Sequence, residues 1–76
     1  QRLAVSEQER ARAAEEQQRR ETVANLTAQA RRLTQQGKYE EALAIIDQIL
    51  VIDRDNDYAR GARDLVFDRW QLERQQ

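Results

Sequence analysis

Four aspartates near the middle of the chain have the spacing of a calcium-binding loop. Asp53, Asp55, Asp57 and Asp64 fall at the first, third, fifth and twelfth positions of an EF-hand-like loop. Such a loop needs glycine at its sixth position for a sharp turn, and Tyr58 stands there. The ligand at the twelfth position of such a loop is a bidentate glutamate, and the shorter Asp64 stands there. We therefore expect no metal site here and interpret the aspartates as a helix-capping cluster.

Other residues for catalysis are scarce. The chain has no cysteine and no histidine, which removes thiolate nucleophiles and the commonest general base and metal ligand. Glu40 and Glu41 form a pair of acids, but adjacent glutamates at this point suit the first turn of a helix, where the helix dipole favours negative charge. We expect a non-catalytic protein without a cofactor.

Two arginine pairs, Arg19-Arg20 and Arg31-Arg32, are the residues best suited to contact phosphates. Acidic side chains are interleaved with them, few aromatic residues lie nearby, and the net charge is −1. No apolar run approaches the roughly 20 residues that cross a bilayer. These features predict neither nucleic-acid binding nor membrane insertion.

The composition favours long helices. The 76 residues include no proline and two glycines, and 36% of them are charged.

We expect a soluble segment of the cytoplasm or periplasm. The chain begins with Gln1 and has no methionine, so it is expected to be a piece of a longer protein.

Three regions follow from the hydrophobic pattern, and together they predict an all-α fold. Residues 1–21 are very polar and predict a helical extension. Two pairs spaced four apart, Glu15 with Arg19 and Glu16 with Arg20, are expected to support it. A coiled-coil strand is the alternative, but the apolar a and d positions that it needs are largely missing.

Residues 22–56 predict an antiparallel helical hairpin. Apolar residues recur at helical spacing on both sides of Gly37, which is expected to end the first helix near residue 36 in a left-handed conformation. A second helix is expected over residues 39–53. The residues predicted to form and pack this hairpin are Leu26, Ala30, Leu33, Gly37, Tyr39, Ala42 and Ile46.

Residues 57–76 predict a third helix, capped at its start by Asp55 or Asn56. Gly61 inside it is expected to mark a close helix crossing. Apolar residues cover more than one face of this helix, and Val51 adds to the apolar surface of the second. The candidate interface residues are Val51, Leu65, Phe67, Trp70 and Leu72.

Residues 23–56 resemble one tetratricopeptide repeat, a helix–turn–helix unit of 34 residues. The positions that carry the resemblance are Leu26, Ala30, Gly37, Tyr39, Ala42, Asp53 and Asn56. Departures are Gln29, Ile49 and Arg54, where leucine, a small residue and proline are usual. The resemblance implies a protein-binding scaffold without catalysis or cofactor. Residues 57–76 resemble either the first helix of a following repeat or the helix that caps the last repeat, and the missing small-residue signature favours the cap.

Two functions are compatible with these patterns. The first is a protein–protein interaction or oligomerisation module, completed by a second copy in a homodimer or by neighbouring repeats of the parent chain. The alternative is a helical spacer between domains of the parent protein. A homodimer is the simplest completion because a lone repeat leaves apolar surface in water. Phe67 and Trp70 are its expected anchors, unless both fold back onto the hairpin core.

Overall fold

The protein folds into three helices, as its sequence predicts. The computed structural model describes the backbone of residues 2–75 and the side chains of residues 6–75. The helices are α1 over Arg2–Gln35, α2 over Tyr39–Ile52 and α3 over Asp57–Gln75. Helices α1 and α2 form a hairpin, and α3 packs against α2. The all-α prediction of a hairpin with a third helix is therefore confirmed.

Gly37 makes the hairpin turn. Its φ of 78° lies in the left-handed region, where the missing Cβ removes the steric penalty. The amide of Lys38 donates to the carbonyl of Leu33 at 2.9 Å, and the amide of Gly37 donates to that of Thr34 at 3.1 Å. These two bonds satisfy the last carbonyls of α1 in a Schellman arrangement. The predicted helix stop is thus present.

Small and β-branched side chains form the core. Ala30 of α1 lies against α2, where Ala42, Ile46 and Ile49 are fully buried, and α3 contributes Ala59 and Val66. The alanines let the helices approach closely, and the two isoleucines fill the space between them. Of the predicted hairpin residues, Leu26, Leu33 and Tyr39 are half-buried and pack against this core.

Asn56 begins α3. Its side-chain Oδ1 accepts a hydrogen bond from the amide of Ala59 at 2.9 Å, the bond expected of an N-cap. Its side-chain amide donates to Asp53 at 3.3 Å. Of the two predicted caps, Asn56 therefore holds the position and Asp55 does not.

The first half of α1 extends beyond the hairpin. A helix of 34 residues is about 51 Å long, and the molecule measures 66 Å along its longest axis. From Glu7 to Thr22 only Glu16 is even half-buried. Of the predicted polar extension, residue 1 and the side chains of residues 2–5 lie outside the described part of the chain.

The ion pairs along this extension differ from those predicted. Glu16 accepts hydrogen bonds from Arg19 and also lies 3.9 Å from Arg20. Glu15 does not pair with Arg19, because the guanidinium reaches the carboxylate three residues back rather than the one four back. The predicted Glu16–Arg20 pair is present only as a long contact.

The expectation of a close helix crossing at Gly61 is wrong for the monomer. A Cβ atom at this position would meet nothing within 4 Å. Gly61 is exposed on α3, so neither α1 nor α2 requires a glycine there.

Candidate interaction surface

The candidate interface residues lie on three separate faces. Val51 on the outer side of α2 is 82% exposed, while Leu65, Leu72 and Phe67 of α3 are 60%, 62% and 40% exposed. Leu65 and Leu72 are seven residues apart and share one side of the helix. Phe67 follows Leu65 by two residues, which turns it about 200° around the axis. The structure therefore does not unite these residues in one patch.

Phe67 and Trp70 form an aromatic patch on one side of α3. Their ring centroids are 5.8 Å apart with an interplanar angle of 56°, and the Arg74 guanidinium lies 4.9 Å from the Trp70 centroid. Trp70 is half-buried, yet neither ring is among the side chains that pack against the buried core. Phe67 and Trp70 thus contact each other, and Trp70 also contacts Arg74, whereas neither ring packs against the centre of the hairpin.

A groove runs between α1 and α3 on the other side, with a volume of about 250 Å³. Its walls are Arg31 and Thr34 of α1 and Tyr58, Ala62 and Leu65 of α3. The Arg31 guanidinium lies 4.8 Å from the centroid of the Tyr58 ring, which joins the two walls by a cation–π contact.

The sequence did not predict this groove. Residues spaced three, four and seven apart do identify one face on each helix. Only the packing of α2 between α1 and α3 shows that these two faces meet.

An ion pair joins α3 to α2 on the side of the aromatic patch. Nε of Arg63 lies 2.9 Å from Oδ1 of Asp47. This hydrogen bond, with the nearby negative charge of Asp47, raises the pKa of Arg63.

The acidic cluster is spread over different elements. Asp53 ends α2 and accepts from Asn56, whereas Asp57 is the first residue of α3 and Asp64 lies two turns inside it. Across the described residues, no three acidic side chains converge as metal ligands. A cleft of about 310 Å³ beside Asp53 is lined by Glu16 and Arg19. The hydrogen bond that Arg19 donates to the Glu16 carboxylate raises the pKa of Arg19.

Comparison with known proteins adds no relationship, since no family model, curated protein or solved structure matches the chain. Within residues 2–75, no helix has the length and apolar character needed to cross a membrane.

Proposed function

We propose that this chain is a non-catalytic protein–protein interaction or oligomerisation module that works through α3. The observation that carries the proposal is the set of large apolar side chains that α3 leaves in water, above all Leu65, Leu72 and Phe67. Leu65 and Leu72 lie together on one side of α3, and Phe67 lies beside Trp70 on the other. Exposed apolar patches are typical of protein contact sites. Aromatic anchors dominate the energy of such contacts, which favours Phe67 and Trp70.

The resemblance to a tetratricopeptide repeat supports the same proposal. In a stack of such repeats, α3 would hold the next helix through the positions that α1 uses to hold α2. The residues 34 positions after Leu26 and Ala30 are Arg60 and Asp64, which are charged and exposed. A further repeat stacked in the same register would bury both charges at a cost. This favours α3 as the cap of the stack and a second copy as the partner.

Light scattering at tens of micromolar tests the proposal. We expect the native chain to exceed its monomer mass of 9.0 kDa. Phe67→Ala and Trp70→Ala should weaken a contact that uses the aromatic patch and leave the helical circular dichroism unchanged. A native chain that is monomeric at this concentration, together with a Trp70→Ala variant that merely unfolds, would assign Trp70 to the monomer's own fold and refute the proposal.

A spacer function remains the second candidate, and the first half of α1 favours it. Residues 7–22 form about four turns of helix with no buried side chain, so they hold a fixed separation without a partner. A pure spacer is monomeric, so the same measurement separates the two functions.

A further inference from the structure

From the shape and charge of the groove between α1 and α3 we infer that it binds an acidic amphipathic helix of a different protein. This inference rests on the proposed interaction function and gives it a site and a partner chemistry. The site lies on the Leu65 side of α3, away from the aromatic patch of Phe67 and Trp70.

The shape of the groove fits a helix. Helices α1 and α3 both pack on α2 but contact each other little, so a channel runs between them. Thr34 and Ala62 are small wall residues that let another backbone approach, and Leu65, which is 60% exposed, forms the outer edge. In helical bundles a channel between two supported helices is where the next helix packs its apolar face.

The charge of the groove favours an acidic helix. Among the described residues that line it, Arg31 is the only charged one. Arg69 follows Leu65 by four residues, and helical periodicity puts it on the same side of α3, one turn further along. Neither guanidinium has a carboxylate within 4 Å among residues 6–75.

The acidic residues of α3 do not neutralise these two arginines. Asp64 faces away from the groove by helical periodicity, and Glu73 lies one turn beyond Arg69, past the lining residues. An acidic helix in the groove therefore gains charge-assisted contacts with Arg31 and Arg69, whereas a basic helix is repelled.

The positions of the two arginines set the spacing of the partner's acidic residues. Arg31 lies over the Tyr58 ring, and Arg69 comes eleven residues after Tyr58, about 16 Å along the axis of α3. A helix along the groove thus meets both arginines with carboxylates about three turns apart, and its apolar residues between them contact Ala62 and Leu65.

A nucleic-acid strand fits this groove less well. Tyr58 is the only aromatic residue among the described lining residues, and Arg31 already covers one face of its ring, which leaves little surface for base stacking. Two arginines in a chain of net charge −1 also provide little attraction for a phosphate backbone.

Titration with a designed peptide tests the inference. The acidic peptide is a capped helix of about 20 residues with leucine and alanine on one face and glutamate and glutamine elsewhere. In the control peptide lysine replaces every glutamate. At a concentration where the native chain is monomeric, the acidic peptide should shift the NMR signals of the Thr34, Gln35 and Ala62 amides. We expect a dissociation constant on the order of 100 μM, and binding of the lysine peptide about tenfold weaker.

Charge reversal in the chain supplies matched variants. Arg31→Glu and Arg69→Glu should each weaken binding of the acidic peptide about tenfold and strengthen binding of the lysine peptide, and both differences should shrink at 0.5 M salt. Arg60→Glu is the control, because Arg60 lies nine residues before Arg69 and so on the opposite side of α3; it should change the dissociation constant less than about twofold.

A second substitution at Arg31 covers its contact with Tyr58. Arg31→Gln removes the charge without adding an acid and should weaken binding about threefold. Circular dichroism should show unchanged helical content in every variant that is compared.

Several results would overturn the inference. Equal binding of the two peptides, or reversals at Arg31 and Arg69 with no larger effect than Arg60→Glu, would refute the acidic partner. Signal shifts confined to Phe67 and Trp70 would place the contact on the aromatic patch instead of the groove. A single-stranded oligonucleotide that binds the groove as tightly as the acidic peptide would assign it to polyanions in general.

Failure of this inference is distinguishable from failure of the proposed function. An acidic peptide that does not bind at about 1 mM overturns the groove as its site, but a native chain that still self-associates leaves the proposed function intact. If the native chain also stays monomeric up to about 200 μM, both are overturned.

Discussion

Nε of Arg63 and Oδ1 of Asp47 lie 2.9 Å apart, and this is the ion pair that connects α3 to α2. Both side chains are about half exposed, so solvent screens the attraction. In a double-mutant cycle of Asp47→Ala and Arg63→Ala, we expect a coupling energy of about 0.3–1 kcal/mol in urea unfolding. The coupling should fall in 0.5 M salt. A coupling that is zero at low salt would show that packing alone holds α3.

The two glycines should respond oppositely to the same substitution. Gly37→Ala should lower the free energy of unfolding by about 1 kcal/mol, and Gly37→Val by about 1–2 kcal/mol, because φ of 78° is strained for residues with a Cβ. Gly61→Ala should raise it by about 0.5–1 kcal/mol, since an exposed helix interior gains from alanine and has room for it.

Urea unfolding, at a concentration where the chain is monomeric, measures the free energy of unfolding of each variant. The Gly37 and Gly61 variants serve as controls for each other. A free energy of unfolding of Gly37→Val equal to that of the native chain would contradict the turn geometry.

Asn56 should be the residue on which the start of α3 depends. Asn56→Ala removes the acceptor of the Ala59 amide and should cost about 1 kcal/mol, whereas Asn56→Asp keeps an acceptor and should cost little. Asp55→Ala is the matched control in the same loop and should be nearly neutral. Equal effects of Asn56→Ala and Asp55→Ala in thermal unfolding would refute the assigned cap.

Calcium should not stabilise the protein. Millimolar calcium is expected to leave the melting temperature unchanged, because Tyr58 replaces the turning glycine and Asp64 lies within α3 rather than in a loop. Magnesium at the same concentration controls for ionic strength. A rise with calcium that a chelator reverses would overturn the capping interpretation.

Local patterns sufficed for the helices and their ends. Gly37 predicts its turn because only glycine adopts positive φ without strain, and Ala30, Ala42 and Ile46 predict the packed faces by their spacing. What the sequence could not supply is the relation between helices. Arg31 of α1 lies over Tyr58 of α3 because of the way both helices pack against α2. The periodicity within a single helix does not encode this packing.

The candidate interface shows the same limit. The sequence predicts that the apolar residues of α3, among them Leu65, Phe67 and Trp70, cover more than one face, but it does not show which of these faces α2 covers. The placement of α2 against α3 buries Val66 between them and divides the remaining apolar residues into two surfaces.

Sedimentation equilibrium of the native chain from about 5 to 200 μM tests the central claim most directly, since this range spans the affinities expected of a small helical contact. We predict a weight-average mass that rises from that of the 9.0 kDa monomer toward that of a dimer as concentration increases. A mass that stays at the monomer value over the whole range, with the helical signal intact, would contradict the claim that α3 is an association surface.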